Sequence, residues 1–380
     1  MRWQQLLRTV KRLPLYALYG RWRTRGSFEP GYTIALPMPM DMPFLLRLAL
    51  EGLAGLDTPN CKQILVVPDG WGNDGGQALA EVVREFADSR IELVRLRWLD
   101  YRVIRSMRPP GCARTHWMLV VNSVLNARHQ HIFLHDADAF FLSASGLELQ
   151  YQQALAEGMD VLGVTPRWDP FFTDRGMSIS GTWEMLFSAR WARKRSPMAL
   201  FPGVWSTPFG DFGFDSTLYA QFLDYSDGTV GVMQNPPEFV HFNGTIFTYR
   251  TFRDRKGEPV TDELFRILLL SAIETALDVP AARRTTPSID ELARGLGDGN
   301  ASVNYVSSTC LSGYGEFRNM VSQMIESPAF GGARGEAIVS CLTGFDRHFG
   351  YVPGLSYDPA IRSGDVRQMG LGSTKPSSQG

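Results

Sequence analysis

The first half of the chain alternates short apolar runs with longer segments in which apolar residues recur at helical spacing. The short runs are rich in β-branched residues and end at proline, glycine or polar residues, which is typical of buried strands. The pattern predicts strands over 33–36, 63–67, 91–96, 131–134 and 160–164, and helices over 44–56, 77–86, 117–127 and 147–156. Strands that alternate with helices predict an α/β fold with a mostly parallel sheet and helices on both faces.

The second half departs from this alternation. Residues 165–213 are rich in proline, glycine and tryptophan, which indicates long functional loops. A helix over 218–222 and a last strand over 239–242 follow, and from Asp262 onward the pattern is helical. The predicted organisation is a basic amphipathic segment 1–28, an α/β domain 29–255, a helical region 256–355 and a polar, disordered tail 356–380.

Charge and composition exclude several classes of protein. The chain of 380 residues has a formal net charge of -1, which gives no general attraction for nucleic acid, so no nucleic-acid partner is expected. Its four cysteines form no C-x-x-C pair and predict free thiols in a reducing compartment. No apolar run approaches the ~20 residues that span a bilayer. These features predict a cytoplasmic protein.

The N-terminal segment has a chemistry of its own. Residues 1–28 carry six arginines and one lysine but no acidic residue, and Trp3, Leu6, Leu7 and Val10 recur at helical spacing. A basic amphipathic helix can lie on an anionic membrane surface, which predicts peripheral contact with the inner face of a membrane. The alternative is a surface helix that packs on the domain by its apolar stripe.

Candidate chemistry appears where the strand 131–134 runs into His135-Asp136-Ala137-Asp138. Carboxylates two residues apart at a strand end can point the same way, and they repel each other unless a cation or proton lies between them. Oxygen ligands suit Mg²⁺ or Mn²⁺, which also bind diphosphate oxygens. The run therefore predicts a divalent metal site, whereas the plain alternative is a solvated turn.

Motifs on both sides of this run, taken in order, resemble family 2 glycosyltransferases of the GT-A fold. The segment 64–76 resembles the second strand of that family and its acidic turn, with Asp69 on an acidic position and Pro68 in place of another. The first strand, which contains Pro37, and the helix that begins near Arg114 are similar to their counterparts in the family. The run 185–191 resembles the family's acceptor-side strand and turn.

The resemblance implies a GT-A fold and the transfer of a sugar from a nucleotide-diphosphate donor to a hydroxyl of a glycan or glycolipid. The implied site has nucleotide-sugar-binding residues, metal ligands for Mn²⁺ or Mg²⁺ and a general base: Pro37, Asp69, Arg114, Asp136 and Ala137 for the donor, Asp138, Asp136 and His241 for the metal, and Asp215 for the base. Asp136 serves the ribose as well as the metal in this scheme. Inverting chemistry is favoured over retaining chemistry.

Two of these roles have open alternatives. Phe214 stands where the family usually has glutamate, so Asp211 is an alternative base, and Asp215 also fits the N-cap of the helix that follows it. His241 lies in an H-F-x-G setting that is similar to the last metal ligand of retaining family 8 enzymes, although a lone histidine is more often structural.

Three rival functions remain at this stage. A phosphatase of the haloacid dehalogenase type also ends a strand in D-x-D, but it carries that motif on its first strand. A sugar nucleotidyltransferase would have a glycine-rich basic loop after its first strand, where this chain has PMPMDMP. A catalytically inactive relative that acts as a binding or scaffold subunit is suggested by Pro68 and Phe214.

Overall fold

The structure is a computed structural model that describes residues 22, 27–70, 73–98, 100–102, 112–254, 263–290, 292, 308–349 and 351–352. The contacts divide the chain into two compact units, 1–243 with 324–331 and 244–323 with 332–380. Almost all of the predicted segment 1–28 and the whole of the predicted tail 356–380 lie outside the described residues.

The first unit is built on a seven-stranded sheet. The strands of the unit are β1 (Glu29–Met38), β2 (Cys61–Pro68), β3 (Ile91–Leu93), β4 (His129–Leu134), β5 (Ala139–Phe141), β6 (Val161–Gly163), β7 (Met185–Ser188), β8 (Gly203–Thr207), β9 (Gly210–Phe214), β10 (Val230–Val232) and β11 (Phe239–His241). The strand order of the seven-stranded sheet is β10-β6-β7-β4-β1-β2-β3, and two further pairs of strands, β5–β11 and β8–β9, form small separate sheets.

Helices connect these strands and form the second unit. Those of the first unit are α1 (Pro43–Ala54), α2 (Asn73–Glu85), α3 (Cys112–Asn126), α4 (Gly146–Glu157), α5 (Pro170–Thr173), α6 (Ala189–Lys194) and α7 (Leu218–Asp224). Beyond them lie α8 (Thr245–Asp254), α9 (Glu263–Ala276), α10 (Ser308–Met324) and α11 (Ala333–Phe349). Among the described helices, none combines the length and the apolar character that crossing a membrane requires.

The sheet is mostly parallel, as predicted. β1 pairs in parallel with β2 and β4, β2 with β3, and β6 with β10, whereas β7 runs antiparallel to both β4 and β6. The antiparallel β7 was not predicted as such, because an apolar run such as Met185–Ser188 does not encode the direction in which its strand will pair.

Helices cover both faces of this sheet. On one face, Ala35 and Ile132 share a buried core with Trp117 of α3 and Trp191 of α6. On the other face, the Tyr32 ring lies 4.9 Å from that of Tyr151 in α4, measured between centroids. Successive residues of a strand point to opposite faces, so Tyr32 and Ala35 belong to opposite faces of β1. The predicted α/β class with helices on both faces is confirmed, as is the helical C-terminal part.

The loop prediction for residues 165–213 is wrong in part. The strand and turn expected at 185–191 are β7 and the start of α6, but the structure also forms α5 and the β8–β9 hairpin there. The hairpin was missed because glycine and proline interrupt the alternation that identifies a strand. Phe212 and Phe214 of β9 nevertheless pack with Phe171 and Phe172 of α5 in an aromatic cluster.

The second unit is held by buried charged groups that have partners. Glu274 of α9 is fully buried, and its carboxylate accepts hydrogen bonds from the backbone N–H and the hydroxyl of both Thr285 and Thr286. Arg318 of α10 donates to Asp346 of α11 at 2.7 Å. Buried charges are tolerated when they are hydrogen-bonded in this way, so these contacts are structural.

Candidate metal and nucleotide site

The Asp136–Asp138 run forms a tight turn at the end of β4. The backbone N–H of His135 donates to the Ala35 carbonyl at 3.0 Å, which continues the pairing of β4 with β1 for one more residue. The N–H of Ala139 then donates to the Asp136 carbonyl at 3.2 Å, and β5 begins there. The turn lies at the carboxyl end of a parallel strand, where ligands bind in sheets of this kind.

Strand β11 brings His241 to this turn. β11 pairs antiparallel with β5 so that His241 lies opposite Ala139, and the N–H of Phe242 donates to the Asp138 carbonyl at 3.1 Å. The Nε2 atom of His241 is 3.4 Å from Oδ1 of Asp138 and 3.7 Å from Oδ2 of Asp136. The three predicted metal ligands are therefore neighbours, although β11 is the last strand of the chain among the described residues.

These three side chains fit a divalent cation. Each offers one ligand atom, and the three atoms lie within 4.8 Å of one another. Nε2 of His241 is buried and has no hydrogen-bond partner among the described residues. Its nearest polar neighbours are the carboxylates of Asp138 and Asp136, and a metal ion between them would bind the nitrogen and offset the cost of burying it. Two carboxylate oxygens and one imidazole nitrogen form a donor set that suits Mn²⁺ and similar ions.

The charges at the site make it unfavourable for Asp136 and Asp138 to be ionised together without a cation beside them. Burial and the nearby Asp138 carboxylate raise the pKa of Asp136 to about 6, an effect opposed by His116 and His241. The Asp136 side chain is still 28% exposed, so solvent moderates its burial. Burial alone would lower the pKa of His241, but Asp138 and then Asp136 more than offset this and raise it. A cation at this position would relieve the repulsion between the carboxylates.

Three residues beside the turn lie outside the set of predicted site residues. Glu184 is fully buried, and its Oε1 lies 2.5 Å from Nδ1 of His135. Trp183 places its ring centroid 4.1 Å from that of His241. His116 of α3 is close enough to lower the pKa of Asp136. No local pattern marks Glu184, because a single acid after glycine, threonine and tryptophan normally indicates a surface loop.

The residues predicted for the nucleotide occupy the strand ends and α3. Asp69 follows β2, and its backbone N–H donates to the Met38 carbonyl at 2.9 Å. Its side-chain Oδ1 accepts a hydrogen bond from the Met40 N–H at 3.1 Å. Asp69 therefore joins the ends of β1 and β2. Pro37 is buried in β1 opposite Val67, and Arg114 lies half-buried in α3. Ala137 is buried within the turn between the two aspartates.

The candidate base Asp215 lies between β9 and α7. Helix α7 begins at Leu218 with Thr217 at the N-cap position, so the N-cap interpretation of Asp215 is wrong. Thr217 has a left-handed backbone with φ of 67° and lies 4.0 Å from the sulfur of Met185. Met185 is paired with Leu134, the last residue of β4, so this junction is near the edge of the sheet that carries the metal ligands.

The neighbours of Asp215 in sequence have other roles. Phe214, which replaces the family's glutamate, is buried in the aromatic cluster and offers no proton-accepting atom. Asp211 lies exposed on the β8–β9 hairpin, where its Oδ1 accepts a hydrogen bond from Ser206 at 2.7 Å. Of the two candidate bases, Asp215 is the one close in sequence to Thr217, whose side chain contacts Met185 of β7.

No family model and no curated protein matches the sequence. Solved structures similar to this chain include the mannosyltransferase PcManGT from Pyrobaculum calidifontis in complex with GDP-Man and Mn²⁺, at 13% identity and a TM-score of 0.37 over 90% of both chains. Another is S. aureus TarS 1-349 in complex with UDP-GlcNAc, at 11% identity and a TM-score of 0.36 over 79% of this chain and 89% of that chain.

A third similar structure is glucosyl-3-phosphoglycerate synthase from Mycobacterium tuberculosis in complex with Mn²⁺, UDP and glucosyl-3-phosphoglycerate. It is 10% identical, with a TM-score of 0.37 over 63% of this chain and 79% of that chain. All three hold a nucleotide sugar or a nucleoside diphosphate.

Proposed function

We propose that this chain is a metal-dependent glycosyltransferase that moves a sugar from a nucleotide-diphosphate donor to a hydroxyl acceptor. The convergence of Asp136, Asp138 and His241 at the carboxyl end of β4 is the observation that carries the proposal. Mn²⁺ or Mg²⁺, when bound there, neutralises the charge that develops on the departing nucleoside diphosphate.

The chain's own residues would hold and orient the donor. Asp138 and His241 are the more buried of the three ligands and would grip the cation, while the partly exposed Asp136 is left to share its carboxylate with the ribose. Asp69, whose carboxylate accepts a hydrogen bond from the Met40 N–H, is assigned to the nucleotide. Arg114 is assigned to the phosphates, since guanidinium pairs well with phosphate oxygens.

Asp215 is assigned the proton transfer at the acceptor. As a general base, its carboxylate would accept the proton of the acceptor hydroxyl while that oxygen attacks the anomeric carbon and the nucleoside diphosphate departs. Direct attack of this kind inverts the anomeric configuration, so inverting chemistry is favoured over retaining chemistry. The support for Asp215 is its place two residues before Thr217, whose hydroxyl lies 4.0 Å from the sulfur of Met185, the partner of Leu134 at the end of β4.

A glycan or glycolipid is proposed as the acceptor. We assign the enzyme to the cytoplasmic side of a membrane, where residues 1–28 would make peripheral contact through their basic and apolar side chains. Binding of the full chain to vesicles that contain anionic lipid, compared with neutral vesicles, tests that contact. Equal binding to both kinds of vesicle contradicts it.

The activity is tested by a thermal-shift screen of nucleotide sugars with and without Mn²⁺. A ligand at 100 times its Kd stabilises the native state by about 2.7 kcal/mol. A UDP- or GDP-sugar is expected to raise the Tm only when Mn²⁺ is present, and the matched product assay should then release the nucleoside diphosphate. If no nucleotide changes the Tm, the result contradicts the proposed activity and favours the inactive relative that Pro68 and Phe214 suggest.

Asp227→Ala provides a control for changes at the site. Asp227 is a surface residue whose side chain is 53% exposed and lies 3.6 Å from Lys194. Exposed ion pairs contribute little to stability. This variant is expected to keep the ligand-dependent shift of the native chain.

A further inference from the structure

A buried carboxylate lies directly behind the metal-binding turn. Glu184 is 0% exposed and is the residue just before β7. Apart from its 2.5 Å contact with Nδ1 of His135, its carboxylate has no hydrogen-bond donor among the described residues. Burying a carboxylate lowers the stability of a protein by several kcal/mol unless the carboxylate is paired. The contact with His135 is therefore important for Glu184.

The backbone around Glu184 is held in an unfavourable conformation. Its φ of 46° lies in the left-handed region, which costs a non-glycine residue of order 1 kcal/mol or more. Two glutamine side chains secure the segment: Gln150 donates to the Glu184 carbonyl at 3.3 Å, and Gln221 both accepts from and donates to the backbone of Ser180. Backbone strain that is secured from both sides is typical of functional positions.

The partner of Glu184 is the residue that begins the turn. His135 immediately precedes Asp136, its backbone is fixed to Ala35, and its ring stacks on Phe141 with an angle of 10° between the planes. With the stack on one side and Glu184 at Nδ1, the imidazole is held against rotation. Because His135 immediately precedes Asp136, holding it in place limits how far the turn with the two carboxylates can move.

We infer that Glu184 and His135 form a positioning pair that sets the orientation of Asp136 and Asp138 for the cation. This inference rests on the proposed metal function of those aspartates. Neither member of the pair is assigned to touch the substrate. Groups that orient metal ligands in this way typically change metal affinity 10- to 100-fold when they are removed, so the pair is expected to act on binding of the cation.

The test measures the Kd of the full chain for Mn²⁺ alone, by electron paramagnetic resonance of the free ion. His135→Ala and Glu184→Gln are each expected to weaken Mn²⁺ binding by about 10- to 100-fold. His135→Asn, which keeps an N–H donor close to the Nδ1 position, is expected to recover much of the affinity lost in His135→Ala. The double variant His135→Ala/Glu184→Gln should bind no more weakly than His135→Ala, because the pair acts as one unit.

Glu274→Gln is the matched control for loss of a buried glutamate. Glu274 is also fully buried, but its partners are Thr285 and Thr286 in the second unit. This change is expected to lower the Tm and leave the Kd for Mn²⁺ unchanged. The comparison separates an effect on the metal from a general loss of stability, and His135→Asn carries the test if Glu184→Gln does not fold.

The outcomes distinguish the two proposals. If the native chain binds Mn²⁺ and His135→Ala and Glu184→Gln bind it equally well, the positioning role is wrong and the metal site stands. If His135→Asn is as weak as His135→Ala while both are folded, a donor at Nδ1 is not what matters, and the role is also wrong. If the native chain does not bind Mn²⁺, the proposed metal-dependent function itself fails.

Discussion

Nε2 of His241 lies 3.4 Å from Oδ1 of Asp138, although one residue ends β11 and the other follows β4. The pairing of β11 with β5 creates this contact, since His241 stands opposite Ala139. The carboxylate and the imidazole thus come from separate parts of the chain and meet at one point. Such convergence is what a metal site requires and what a solvated turn does not.

His241 is expected to set the preference for Mn²⁺ over Mg²⁺. Replacing it with glutamine exchanges an imidazole nitrogen for an amide oxygen, and nitrogen ligands suit Mn²⁺ better than Mg²⁺. His241→Gln should weaken the binding of Mn²⁺ by about tenfold or more and the binding of Mg²⁺ by less. Competition titrations with the two ions measure this, and an unchanged ratio of the two affinities would show that His241 is not a ligand.

Metal binding is expected to weaken as the pH falls below about 6. The pKa of Asp136 is raised to about 6 by burial and by Asp138, and the pKa of His241 is also raised. Protons therefore compete with the metal ion for both side chains. The Kd for Mn²⁺ should rise by about tenfold per pH unit for each proton that the ion displaces. Calorimetry in buffers of different ionisation enthalpy should detect proton release on Mn²⁺ binding at pH 6. A Kd that stays constant from pH 7 to pH 5 would contradict this account.

Asp215→Asn is expected to lower kcat by about 10²- to 10⁴-fold, the usual contribution of a general base. The donor KM should stay unchanged, because Asp215 is assigned to the acceptor side. Asp211→Asn is the matched control and should keep kcat within a few-fold of the native value. The opposite result, with Asp211→Asn inactive and Asp215→Asn active, would move the base to the β8–β9 hairpin.

Phe330 is expected to stabilise the first unit. It is fully buried in the segment 324–331, and its ring centroid lies 5.0 Å from that of Phe140 in β5. Phe330→Ala should lower the free energy of unfolding by about 3–5 kcal/mol, because it leaves a cavity in a packed core. Urea denaturation followed by tryptophan fluorescence measures this cost. Phe330→Leu should lose clearly less stability than Phe330→Ala. Equal stability of the alanine variant and the native chain would refute the packing role.

Local patterns predicted most elements of the first half of the chain and the turn, because the information that these need is local. The run His131–Leu134 followed by acids is sufficient to place Asp136 and Asp138 at a strand end. The H-F-x-G context singled out His241, but only the β5–β11 pairing brings it to the aspartates. Glu184 could not be predicted, because its burial depends on the antiparallel insertion of β7 between β4 and β6. Neither the direction of a short strand nor a distant partner is encoded by neighbouring residues.

The most direct test of the metal site is the Kd of Asp138→Ala for Mn²⁺ together with UDP or GDP, measured by calorimetry. Asp138 is buried beside His241 and is assigned to the cation, so its removal should abolish the Mn²⁺-dependent part of nucleotide binding while Asp227→Ala keeps it. Near-native Mn²⁺-dependent affinity in a folded Asp138→Ala variant would contradict the assignment of the metal to this turn.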